Sequence, residues 1–75
     1  MYNAKQVRNI VNELVNEAVR LETGTEFTVA DLPSYKKYVT LDTAKIIGKE
    51  FCSKINGFAT VTKRTKQGKR VYSRN

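Results

Sequence analysis

The chain offers very little chemistry for cross-linking, and this limits how it can fold. Among its 75 residues there is one cysteine, Cys52, and no histidine. An intrachain disulfide is therefore excluded, and a zinc site lacks its usual ligands. A chain of this length must instead be held together by a single hydrophobic core. We expect one domain over residues 1–75, with no metal and no cofactor.

The first part of the chain follows a helical pattern. Over residues 3–22, apolar side chains recur every three or four positions and polar side chains fill the opposite face, which predicts an amphipathic helix. Asn3, with Gln6 three residues later, is typical of a capping box at the helix N-terminus. Gly24 is expected to close the other end in a left-handed conformation.

The apolar arc of this helix is wider than one core contact usually requires, because Val15 and Val19 extend it. Two interpretations stay open. Either a small domain wraps its longest helix deeply, or part of the arc forms a homodimer with a second copy of the chain.

Short elements are predicted next. Residues 25–29 alternate polar and apolar side chains, which suits a short strand. Thr28 and Asp31 then form a capping pair that opens a helical turn. Pro33 is tolerated only at the start of a helix, so it is expected to begin a second, short helix.

A longer helix follows, with Thr40 or Asp42 as its cap and Gly57 as its stop. Gly48 lies in its middle, where glycine is unfavourable, and we attribute it to close approach of the preceding short helix. The residues expected on its core face are Leu41, Ala44, Ile47, Gly48, Phe51 and Ile55.

The C-terminal part predicts a β-hairpin. Residues 58–62 and 70–73 are rich in β-branched and aromatic side chains, and the segment between them contains Gly68. The register stays open: a two-residue turn places Val61 and Val71 on opposite faces, and a three-residue turn places them on the same face.

Positive charge is concentrated in this hairpin. Residues 59–75 contain six cationic side chains and no acidic one, so they account for most of the net charge of +7. The rest of the chain is close to neutral. A cationic hairpin of this kind favours a polyanionic partner.

The order helix, short strand, short helix, glycine-containing helix and basic hairpin resembles the winged helix-turn-helix family of DNA-binding domains. Phe27 with Asp31-Leu32, Tyr35 and Tyr38, residues 47–51 and residues 71–74 are also similar to small domains of phages and mobile elements of Gram-positive bacteria. The resemblance implies an α+β fold with a three-helix core, a short strand and a C-terminal hairpin wing. It implies that residues 42–54 enter the major groove of DNA and that residues 62–70 form the wing.

The candidate DNA-binding residues fall into two groups. Side chains on the outer face of the predicted third helix are expected to face base edges: Thr43, Lys45, Ile46, Lys49 and Ser53. Cations of the short helix and the hairpin are expected to contact the phosphate backbone: Lys36, Lys37, Lys63, Arg64, Lys66, Lys69 and Arg70.

Three functions follow from these residues. The first is binding of double-stranded DNA by a cytoplasmic transcriptional regulator or accessory factor of a phage or mobile element. The second is a protein-interaction module of the same fold, for example a phage inhibitor of a host nucleic-acid enzyme. The third is binding of RNA or single strands by stacking on Tyr35, Tyr38 or Tyr72.

Enzymatic and membrane functions are disfavoured. The commonest general base, histidine, is absent and the seven acidic residues are scattered. Glu13 and Glu17 share a helix face, but we interpret them as solvated surface. The sequence has neither an apolar run long enough to span a bilayer nor the pattern of a secretory signal.

Overall fold

Three helices pack against a small antiparallel sheet. The computed structural model describes residues 3–75, except for the side chain of Leu41. The elements in chain order are α1 (Ala4–Val19), β1 (Glu26–Phe27), a 3-10 turn (Val29–Asp31), α2 (Pro33–Tyr38), α3 (Leu41–Ile55), β2 (Ala59–Arg64) and β3 (Arg70–Arg74). The sheet has the strand order β1-β3-β2, so β3 lies between the other two strands. The predicted α+β class is confirmed.

Helix α1 begins as predicted but ends early. The Asn3 and Gln6 side chains each accept a hydrogen bond of 2.9 Å from the other residue's backbone N–H, which confirms the capping box. The helix stops at Val19 with Arg20 as its C-cap. Gly24 has a left-handed φ of +90°, but it belongs to the turn before β1, so the prediction that it caps α1 is wrong. Its N–H donates instead to Arg74 O at 2.7 Å and fixes that turn against β3.

The short elements follow the predicted signals. The Thr28 N–H donates to Asp31 Oδ2 at 2.8 Å, which confirms the capping pair, and Pro33 occupies the first turn of α2. Strand β1 is shorter than the predicted residues 25–29. It pairs antiparallel with β3, and Phe27 lies opposite Tyr72.

Helix α2 is attached to α1 through a serine that the sequence analysis did not consider. Ser34 is 7% exposed, and its hydroxyl and N–H donate to the Glu17 carboxylate at 2.6 and 3.1 Å. The same hydroxyl lies 3.4 Å from Glu13 Oε2. The interpretation as solvated surface is therefore wrong for the half-buried Glu17, whereas Glu13 is exposed as predicted. Glu17 occupies the N-terminal end of α2, where backbone N–H groups lack helical partners.

Helix α3 has Thr40 as its N-cap and Asn56 as its C-cap, and Gly57 follows with a φ of +98°. Ile47, Phe51 and Ile55 are buried as predicted, whereas Ala44 and Gly48 are half-buried. The predicted core side chain of Leu41 lies outside the described part of the chain. The explanation offered for Gly48 is wrong, because a Cβ at this position would meet no heavy atom of α2, or of any other described element, within 4 Å.

The hairpin combines a three-residue loop with a β-bulge. The loop runs from Lys66 to Gly68, and the flanking Thr65 N–H donates to Lys69 O at 2.8 Å. A register shift between Val61 and Lys63 places Val61 opposite Tyr72 and Lys63 opposite Val71. Because paired residues project from the same face of a sheet, Val61 and Val71 lie on opposite faces despite the three-residue loop.

The core joins α1, α3 and the sheet. Its largest fully buried side chains come from the two long helices: Val11, Leu14, Ile47, Phe51 and Ile55. The Tyr72 ring stacks on Phe27 and meets Phe51 edge-on, with both pairs of ring centroids 5.5 Å apart. These contacts hold β3 against α3. Val15 packs against the same core, so at least part of the wide apolar arc of α1 serves the fold.

Candidate nucleic-acid interface

A groove of about 650 Å³ separates α3 from the hairpin. Four cations line it, two from each side: Lys45 and Lys49 from α3, Lys69 and Arg70 from the hairpin. We call it the cationic groove. Among the described residues that line it there is no carboxylate. The rest of the lining is neutral and largely apolar, from the 3-10 turn, α2, α3 and the hairpin: Val29, Ala30, Tyr35, Ala44, the half-buried Gly48, Gln67, Gly68 and Tyr72.

Local geometry explains why these four cations meet. Lys45 and Lys49 are four residues apart on α3 and therefore share one face. Arg70 lies two residues before Tyr72 on β3, so it projects from the same face of the sheet. Since the Tyr72 ring packs against Phe51 of α3, that face is turned toward the helix.

Arg64 adds a fifth cation beside the groove. It pairs directly with Arg70 across the hairpin, and like charges in such pairs repel each other. Its Nη1 lies 3.4 Å from Gly68 O, and the described residues form no carboxylate salt bridge at either arginine. A bound anion would relieve this repulsion.

Tyr72 lies on the same face of the sheet as Arg70. Burial of its hydroxyl raises the pKa of Tyr72 well above its usual range, and a hydrogen bond with Cys52 raises it further. The positive charges of Arg70 and Arg64 lower this pKa, but by less than burial raises it. Tyr72 is 3% exposed, so it is not a surface for stacking bases.

The remaining cations of the hairpin have other surroundings. Lys66 is exposed in the loop. Lys63 lies opposite Val71, on the face of the sheet turned away from Tyr72, and its Nζ is 3.8 Å from Glu26 Oε1. Both partners of this salt bridge are more than half exposed, so its contribution to stability is small.

The predicted base-facing residues do not form one surface. Thr43 is 3% exposed and its hydroxyl accepts a hydrogen bond from the Thr40 N–H at 3.0 Å, so its assignment to base edges is wrong. Lys45, Lys49 and Ser53 are exposed. Ser53 borders a separate cleft beside Val61, at the C-terminal end of α3.

Ile46 lies on the other side of α3 from the cationic groove. It is 54% exposed and lines a shallow groove toward α1, together with Arg8, Glu50 and Lys54. The outer face of α3 thus has a cationic edge beside the hairpin and an apolar, mixed-charge edge beside α1. Arg8 is a neighbour of this surface that the sequence analysis missed, because its proximity depends on how α1 packs against α3.

The two lysines of α2 differ from the hairpin cations. Lys37 lies in a cleft with Glu13 and Glu17, and its Nζ is 5.2 Å from the centroid of the Tyr38 ring. It does not line the cationic groove. Lys36 is exposed on α2 and does not line that groove either.

Arg74 has an internal role that its sequence position did not reveal. Its Nε donates to Val19 O at 3.2 Å, and its Nη1 donates to Phe58 O at 3.0 Å and to Asn75 O at 2.8 Å. The side chain therefore joins the last turn of α1 to the segment before β2. One of the six cations in residues 59–75 is thus committed to the fold.

The structure defines a small α+β domain with a cationic groove between a helix and a hairpin. Comparison of the chain with protein-family models, with curated proteins and with solved structures gives no match. Within residues 3–75 no helix is both long and apolar enough to cross a membrane. The same residues contain no group of three or more His, Cys, Asp or Glu side chains placed to hold a metal ion.

Proposed function

We propose that the protein binds double-stranded DNA as a winged helix-turn-helix domain, with α3 as the recognition helix and the β2–β3 hairpin as the wing. The observation that carries the proposal is the cationic groove, in which Lys45 and Lys49 of α3 face Lys69 and Arg70 of the hairpin. A regulator or accessory factor of a phage or mobile element is the role that we propose for such a domain.

In this proposal, cations of the hairpin supply affinity and residues of α3 supply selectivity. Hairpin cations would neutralise phosphates and release counterions: Arg64, Lys66, Lys69 and Arg70. On α3, Lys45 and Lys49 beside the groove would lie nearest the bases, with Ile46 at the opposite edge of the outer face. Neutralising about four phosphates predicts that log affinity falls against log salt with a slope of about −3 to −4.

Base selectivity of a single copy is expected to be modest. The outer face of α3 carries Lys45, Ile46 and Lys49 but no Arg, Asn or Gln, the side chains that read guanine and adenine through paired hydrogen bonds. A homodimer through α1 would increase selectivity by joining two half-sites, and we include it in the proposal.

The test is an anisotropy titration of labelled duplex DNA, single-stranded DNA and RNA at several salt concentrations. We expect tight binding to the duplex with the steep salt slope given above. Lys45→Ala/Lys49→Ala should weaken binding strongly, whereas the matched double variant Lys5→Ala/Arg20→Ala removes the same charge from exposed residues of α1 and its C-cap, outside the groove, and should have little effect. Failure of the wild-type protein to bind duplex DNA at low salt would refute the proposal.

A protein-interaction module is the second candidate, because the groove offers concentrated charge but few base-reading side chains. An acidic protein surface would complement the same four cations. Under this hypothesis the wild-type protein binds all three nucleic acids weakly and alike. Replacing Lys45, Ile46 and Lys49 together with Ala would then leave duplex binding unchanged.

A further inference from the structure

Gly48 has no structural reason to be glycine. It lies in the middle of α3, where glycine is among the least favourable residues for a helix. It is not among the described glycines with a positive φ, which are Gly24, Gly57 and Gly68. Among the described residues, a Cβ added at Gly48 would meet no heavy atom within 4 Å beyond its chain neighbours and the backbone of its own helix. Alanine would therefore fit here and would strengthen the helix.

The open space at Gly48 belongs to the cationic groove. Lys45 and Lys49 flank it on α3, and Lys69 and Arg70 line the opposite wall. Absence of a side chain at Gly48 leaves the helix backbone open to a group in this groove. A group that approaches four cations without meeting a carboxylate is expected to be anionic.

We propose that a sugar–phosphate strand of bound duplex DNA passes through the cationic groove and contacts α3 at Gly48. This inference rests on the proposed DNA binding and specifies where one strand lies. The strand is extended and carries a charge at every phosphate, so it matches a groove with cations on both walls. Gly48 then allows close approach of the strand, as glycine does where a backbone meets a ligand.

The inference predicts opposite effects of one substitution on stability and on binding. Gly48→Ala should raise the midpoint of thermal unfolding, because alanine favours the helix and no neighbour obstructs its methyl group. The same methyl group should displace the strand and weaken duplex binding by about 5- to 10-fold, the scale of one lost charged contact. Gly48→Ser, with a larger side chain, should weaken binding at least as much.

The experiment measures thermal unfolding by circular dichroism and binding of a short random-sequence duplex by anisotropy at several salt concentrations. Asn12→Ala is the matched control, because Asn12 is exposed on α1 and does not line the groove, while alanine also favours the helix there. The control should gain stability and keep wild-type affinity. The salt slope of Gly48→Ala should become shallower by about 0.9, as for one lost phosphate contact.

The outcomes separate this inference from the proposed function. If the wild-type protein does not bind duplex DNA, the proposed function fails. If the wild-type protein binds and Gly48→Ala and Gly48→Ser bind equally well, DNA binding stands but the strand does not pass Gly48. Equal weakening of Asn12→Ala and Gly48→Ala would also overturn the inference, because added stability would then be the cause.

Discussion

Arg74 is predicted to stabilise the fold without contributing to DNA binding. In Arg74→Ala three hydrogen bonds to backbone carbonyls are lost, of which the one to Val19 O is partly buried and those to Phe58 O and Asn75 O are solvent-exposed. The first is worth about 1.5 kcal/mol and each exposed bond at most about 0.5 kcal/mol. The loss of about 2 kcal/mol lowers the unfolding midpoint of a domain this small by roughly 10 °C.

The decisive assay compares Arg74→Ala with Lys69→Ala, which removes the same charge from an exposed residue of the groove. Thermal unfolding followed by circular dichroism should show the loss for Arg74→Ala and almost none for Lys69→Ala. Duplex affinity, measured at a temperature where both variants are folded, should show the reverse order. A wild-type midpoint for Arg74→Ala, or a loss of affinity larger than that of Lys69→Ala, would refute this assignment.

Other perturbations test the core and the attachment of α2. Phe51→Ala should lower the free energy of unfolding by about 4 kcal/mol, and denaturant unfolding measures this loss. It is a large part of the about 5–15 kcal/mol by which typical domains are stable. Because the pKa of Tyr72 is raised in the folded state, the stabilisation from its neutral hydroxyl is complete below pH ~10 and is lost as the pH rises further. Tyr72→Phe should therefore unfold at a higher pH than the wild type, which an absorbance titration measures. Glu17→Ala should lower the free energy of unfolding by about 1 kcal/mol by removing two hydrogen bonds from Ser34, and hydrogen exchange should become faster than in the wild type in α2 but not in α3.

The elements could be predicted because their signals are local. Three helix starts depend on hydrogen bonds or steric limits within a few residues, and the structure confirms all three: Asn3 with Gln6, Thr28 with Asp31, and Pro33. Apolar spacing likewise identified the buried face of the two long helices, because period and burial are directly linked.

The predictions fail where contacts between residues far apart in the sequence determine the structure, or where a side chain is used in a cap instead of at the surface. Helix α1 ends early, at a turn to which Arg74 donates from the far end of the chain. Thr43 is on the edge of the predicted binding face, but its hydroxyl is used in the cap at Thr40. The bulge near Thr62 changes which residues lie on the same face of the sheet, and no turn residue in the sequence predicts it. The groove itself depends on how Tyr72 packs the hairpin against α3. The spacing of residues along the chain does not predict this packing.

The bulge in β2 also affects how the molecule behaves beside other copies of itself. Strand β2 lies at one edge of the sheet, so within residues 3–75 no strand pairs with its outer side. The irregularity between Val61 and Lys63 interrupts the regular pairing of that edge, and Arg64 places a positive charge at its end. A distorted, charged edge resists addition of a foreign strand. The segment that we propose for binding a polyanion is thereby also the one that opposes fibril-like stacking.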